Sequence, residues 1–155
     1  MSRLIVKVVV VVVVLAAVVH AEVSRGVIAH FRGQLIVTKD DLPEGKNDAD
    51  TIQKINKARL GELQGNPTNT DVQAWHFHYA AFLNKTGSKS LKLEFMIDKR
   101  LAADQRITEV DPKSSLLTGD ISIDEDEGLA KGKTYTINLV DEKQHVVSTT
   151  KLTMK

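Results

Sequence analysis

Cysteine is absent from the chain. Disulfides, thiolate metal sites, a cysteine nucleophile and lipid attachment to a cysteine are therefore all excluded. Proline occurs only at Pro43, Pro67 and Pro112, and no proline-rich linker divides the chain. Net charge is nearly absent at +1. The basic residues are scattered among acidic ones, which leaves no footprint for nucleic acid or an anionic membrane. No Gly-x-Ser-x-Gly elbow occurs. The segment Gly128-Leu129-Ala130-Lys131-Gly132-Lys133-Thr134 ends like a phosphate loop. Its first glycine is one residue too close, however, and a strand pattern follows where a helix is required. No spacing marks a catalytic triad, and the expectation is a protein that is not an enzyme and carries no cofactor.

What is present begins with Arg3 and Lys7 ahead of an unbroken apolar run of twelve residues, Val8 to Val19. Val19-His20-Ala21 then resembles a signal-peptidase site. The run is shorter than the roughly 20 residues that cross a bilayer. Residues 1–21 are expected to be a cleavable signal peptide, and residues 22–155 a single domain with no membrane association after cleavage. An uncleaved anchor is the competing reading. Cleavage removes Arg3 and Lys7 and takes the net charge from +1 to −1. A secreted or periplasmic chain without disulfides fits a bacterial envelope or exterior.

One stretch, Trp75 to Leu83, collects the single Trp, one of two Tyr and two of four Phe. At a period of two, Trp75, Phe77, Tyr79, Ala81 and Leu83 share one face, and Ala74, His76, His78, Ala80 and Phe82 share the other. This reads as a central strand, its aromatic face in the core. Val27 to Thr38 reads as a strand interrupted at Gly33. Asp48 or Asp50 opens a helix over about residues 50–64 that Gly65, Asn66 and Pro67 close. Leu91 to Asp98 alternates cleanly and makes a hairpin with the central strand. Arg106 to Val110, Leu116 to Asp124, Thr134 to Val140 and Val146 to Met154 supply the remaining strands, the last two as a closing hairpin.

Short strands with regular turns predict a mainly β, antiparallel, immunoglobulin-like β-sandwich of about seven strands with one surface α-helix. The closing segment Gly132-Lys133-Thr134-Tyr135-Thr136-Ile137-Asn138-Leu139-Val140 resembles immunoglobulin-like and fibronectin type III-like modules of bacterial secreted proteins. The resemblance covers the last third of the chain and implies a fold, with no site residue carried over.

His76 and His78 project from one strand face and are candidate metal ligands, with His30 or His145 as a possible third. Solvated or hydrogen-bonded histidines are the competing explanation, and spacing alone favours that one. The alternative function is a periplasmic copper or zinc carrier using His76 and His78. Small periplasmic copper carriers are similar in being signal-bearing, cysteine-free β-sandwiches. The Met-rich pattern they often carry is missing here, and His20 leaves with the signal peptide. The acidic run Asp124-Glu125-Asp126-Glu127-Gly128 departs from calcium-loop spacing and reads as a solvated turn. So does Asp40-Asp41 with Glu44. The expected function is a non-enzymatic binding or structural module with an unknown protein or envelope partner. Contacts are expected at loops or at the face bearing His76, His78 and Phe82.

Overall fold

The computed structural model describes residues 22–155; the expected signal segment lies outside them. In chain order the elements are α1 (Arg25–Phe31), β1 (Leu35–Thr38), α2 (Asp48–Ala58), β2 (Glu62–Leu63), β3 (Asn66–Pro67), β4 (Gln73–Phe82), β5 (Leu91–Ile97), β6 (Arg100–Ile107), β7 (Leu116–Asp124), β8 (Thr134–Val140) and β9 (Val146–Met154).

The strands form two sheets packed face to face. In the first, β7 pairs antiparallel with β4 along one whole edge, from Ala74 to Phe82. The other edge of β4 is shared by β1 and β3. The second sheet runs β2-β9-β8-β5-β6 and is antiparallel except where β2 lies parallel to β9. The sandwich is immunoglobulin-like in its strand order. β4 and β7 stand as the B and E strands, β5-β8-β9 as C, F and G, and β6 extends the second sheet beside β5. Tyr135 is the second residue of β8, and its hydroxyl accepts a hydrogen bond from the Ala130 backbone N–H at 2.9 Å. A tyrosine so placed at the start of the F strand is a corner device of such sandwiches.

The inner face of β4 behaves as its alternation requires. Trp75, Phe77, Tyr79, Ala81 and Leu83 are buried in the core between the sheets. Leu91, Leu93 and Phe95 of β5 and Ile121 and Ile123 of β7 join them. Gly119 faces Tyr79 across the β4–β7 ladder. A Cβ there would lie 2.8 Å from the Tyr79 hydroxyl, so the missing side chain makes room for the ring.

Several elements differ from the sequence expectation. Among the described residues nine strands and two α-helices form where about seven strands and one helix were expected, because Arg25–Phe31 is helical and short ladders flank the main strands. Ser24 caps α1, its hydroxyl accepting from the Val27 N–H at 3.2 Å. Val27 and Phe31 are then stacked one turn apart on a buried stripe. A spacing of four satisfies a strand period as well as a helical one, so alternation from Val27 to Phe31 did not discriminate. Helix α2 is capped by Asn47, whose side chain accepts from the Asp50 N–H at 2.9 Å. It stops at Ala58, short of residue 64. The Leu60 N–H donates to the Val37 carbonyl, and Leu63 enters β2 against β9.

The expected hairpin of β4 with β5 does not form. β4 and β5 lie in opposite sheets, and β5 pairs with β6 and β8. The β5–β6 connection is a tight turn in which Asp98 and Lys99 both have positive φ, 48° and 64°. Such a turn matches the twist of the strands it joins. In consequence β6 spans Arg100–Ile107, where sequence alone pointed to residues 106–110.

A third layer completes the molecule. α1 and α2 pack on the outer face of the first sheet through a second core of Val27, Phe31, Ile36, Ile55, Ala80 and Phe82. Phe31 and Phe82 meet with ring centroids 5.1 Å apart. The helices approach closely at Gly26, where a Cβ would lie 2.2 Å from the Asp48 carboxylate. Beside it the Ser24 hydroxyl donates to Asp48 Oδ1 at 2.6 Å.

Candidate binding cavity

The helical layer covers the outer face of β4 only in part, and a cavity of about 340 Å³ opens where the cover ends. This falls at the lower end of the range for small-molecule sites. Its floor is His78 of β4 with Leu116 and Thr118 of β7. One wall is the start of α1, with Val23 and Val27. The opposite wall is the connection from β1 to α2, residues 41–45 with Asn47, together with Asp48 and Thr51 of α2.

That connection is tied down by local hydrogen bonds. The Gly45 N–H donates to the Thr51 hydroxyl at 3.0 Å, and the Lys46 N–H to Asp50 Oδ2 at 2.8 Å. Lys54 Nζ reaches the Glu44 carbonyl at 2.9 Å. The Lys46 N–H and the Lys54 ammonium hold the Asp50 carboxyl below the usual carboxylate range. A wall fixed in this way gives a pre-formed cleft.

His78 is 5% exposed. Its Nδ1 lies 3.1 Å from Asp120 Oδ1 on β7 and 3.4 Å from Asp41 Oδ1. Carboxylate oxygens only accept, so Nδ1 carries the proton and donates. In the neutral ring Nε2 is then an acceptor, and no group among the described residues hydrogen-bonds to it. Asp41 and Asp120 have side chains 85% and 86% exposed, so solvent reaches both carboxylates. On the inner face, burial pushes the Tyr79 phenol up to about 12, and the Asp120 charge adds to the rise.

The candidate residues named from sequence are distributed as follows. His76 and His78 share the outer face of β4, but His76 is exposed and pairs across the ladder with Ser122. His30 lies in the last turn of α1, edge-on to Phe31. His145 lies in the β8–β9 turn of the other sheet, its Nδ1 3.1 Å from Asp141 Oδ2. Among the described residues no group of three His, Asp or Glu side chains is arranged to hold a metal ion. Phe82, expected at a contact face, is sealed beneath α1. The acidic run closes on itself. Asp124 accepts from the Glu127 N–H, Glu127 accepts from the Asp124 N–H, and Glu125 accepts from the Gln73 N–H. Sequence reasoning missed Asp41, Asp120 and the α1 wall as parts of one site, because β4, β7 and a loop meet there only in three dimensions.

No protein-family model matches the chain. Over 46 residues it is 48% identical to outer membrane protein A of Rickettsia rickettsii and 46% identical to that of Rickettsia conorii. The match takes in 30% of this chain but spans only 2% of the length of either relative. Among solved structures, the chain is similar to an immunoglobulin-like protein of Pseudomonas aeruginosa. The TM-score is 0.40 and the identity 8%, over 79% of this chain and 90% of that one. It is also similar to chicken MD-1 crystallised with lipid IVa, with a TM-score of 0.32 and 15% identity over 50% and 67% of the two chains. Among the described residues no helix is long and apolar enough to cross a membrane.

Proposed function

We propose that this chain is a non-enzymatic β-sandwich module of the bacterial envelope or exterior, and that it binds a small ligand in the cleft over His78. The observation that carries the binding role is the cavity itself. It is pre-formed, apolar along Val23, Val27, Leu42 and Leu116, and supplied with a buried histidine whose second nitrogen has no hydrogen-bond partner among the described residues. Apolar pockets with a few convergent polar groups are the usual form of a ligand site. Envelope placement is supported by the signal-like residues 1–21 and by the short match to two rickettsial proteins named as outer membrane proteins.

Two measurements test the proposal. The full chain is produced in a Gram-negative host, and the product is fractionated and sequenced from its N-terminus. The expected result is a mature chain starting near Glu22 in the periplasm, outer membrane or medium. An unprocessed chain in the cytoplasm would overturn the envelope reading. A panel of hydrolase substrates is expected to show no turnover, and reproducible turnover abolished by His78→Ala would make the cleft an active site instead.

A further inference from the structure

We infer that the cleft over His78 takes a small amphipathic primary amine, an ammonium head on a short apolar body. This rests on the reading of the cleft as a binding site and names the ligand chemistry. Four carboxylate side chains line the cavity, those of Glu22, Asp41, Glu44 and Asp48, and no Lys or Arg lines it. All four residues are exposed, so the negative charge stands at the mouth while the interior is apolar. An anion would meet this rim unfavourably, and a cation is drawn to it.

The start of α2 does not reverse that preference. Of its free N–H groups, that of Asp50 is answered by the Asn47 side chain, and the Asp50 carboxylate accepts from the Lys46 N–H just outside the helix. The Lys54 ammonium is directed to the Glu44 carbonyl and to Asp50, at 2.9 Å and 3.3 Å.

The hydrogen-bonding pattern adds a second, independent constraint. Asp120 and Asp41 fix the His78 proton on Nδ1, which leaves Nε2 as an acceptor on a side chain only 6% exposed. A primary ammonium has three N–H donors. It can satisfy Nε2 and the carboxylates together, which neither a carboxylate nor a quaternary ammonium can do. The volume of about 340 Å³ suits a short aliphatic or single-ring body lying against Val27 and Leu116.

The test titrates the purified protein with n-hexylamine, n-hexanol and n-hexanoate, followed by calorimetry and by NMR signals of His78 and Leu116. Hexylamine is expected to bind about tenfold more tightly than hexanol or hexanoate, which corresponds to about 1.4 kcal/mol. The double variant Asp41→Asn with Glu44→Gln should reduce hexylamine affinity about fivefold, because two exposed rim charges are lost. Thr118→Phe fills the cavity from the edge strand and should abolish binding at an unchanged melting temperature. If that variant is destabilised, Leu42→Phe fills the cavity from the loop and serves the same purpose. Hexanoate binding as tightly as hexylamine would overturn the inference, as would hexylamine binding that survives both filling variants. Equal binding of hexanol and hexylamine, lost on filling, would overturn the amine preference while sustaining the cleft as a binding site. No binding of any probe would overturn both.

Discussion

The two faces of β4 share one backbone and meet different fates. The inner face carries Trp75, Phe77, Tyr79, Ala81 and Leu83, all sealed against the opposite sheet. The outer face is graded along its length. Phe82 and Ala80 lie beneath the helices, His78 floors the cavity, and His76 stands in solvent. The five-stranded second sheet is wide enough to cover every inward residue of β4. A cover made of a seven-residue helix and an eleven-residue helix does not reach so far. The cavity exists because the second cover is short, and the polar residues of β4 fall where that cover ends.

The comparison can be broken first at its strongest point. Trp75→Ala removes the largest fully buried side chain of the inner face and is expected to cost about 3–5 kcal/mol in denaturant unfolding. A loss below 1 kcal/mol would mean that the inner face is not the principal core. Next comes the helical cover. Phe31→Ala is expected to cost about 3 kcal/mol, and a double-mutant cycle with Phe82→Ala should give a coupling of about 1 kcal/mol. Strict additivity in that cycle would show that the two rings do not act as a pair. A third measurement separates the two outward histidines. His78→Ala should cost about 1 kcal/mol, since a buried hydrogen-bonded ring is lost, while His76→Ala should stay within about 0.5 kcal/mol. Equal effects would remove the gradient from the outer face.

The smallest effect at neutral pH is at Tyr79. Its phenol is pushed up to about 12 by burial, above the ordinary value of about 10. The folded state thus favours the neutral phenol. The resulting stability is fully present below about pH 10 and is lost as the pH rises from there toward about 12. Phenolate absorbance with and without Tyr79→Phe reads this directly. A Tyr79 component titrating near the ordinary value would place that ring in water.

Much of the fold could be read residue by residue. The alternation of β4 assigned its inner face correctly, and the clean period of Leu91, Leu93 and Phe95 gave β5 with the right side inward. The closing strands, the acidic turn and the existence of α2 were legible for the same reason, since each is set by local pattern and local hydrogen bonds. α1 was not legible because Val27 and Phe31 satisfy both periods. β6 was not, because Leu101-Ala102-Ala103-Asp104-Gln105-Arg106 has no strict alternation and relies on the Asp98-Lys99 turn to set its register. Of the site, the sequence offered His78 alone.

Composition and local pattern set which residues could face a core, where the main strands β4, β5, β7, β8 and β9 fall, and that no thiol chemistry is available. They could not determine which strands pair. The partner of β5 depends on where its neighbours lie after collapse, and a buried face carries no label for its ladder neighbour. Only the tertiary structure separated His78 from His76. Their spacing on the strand makes them equivalent, and the reach of two helices, one ending more than forty residues upstream and the other about twenty, decides which is covered. The same packing brought Asp41, Asp120 and His78 together from a loop and two strands. Burial and electrostatics act through space, and chain order records neither.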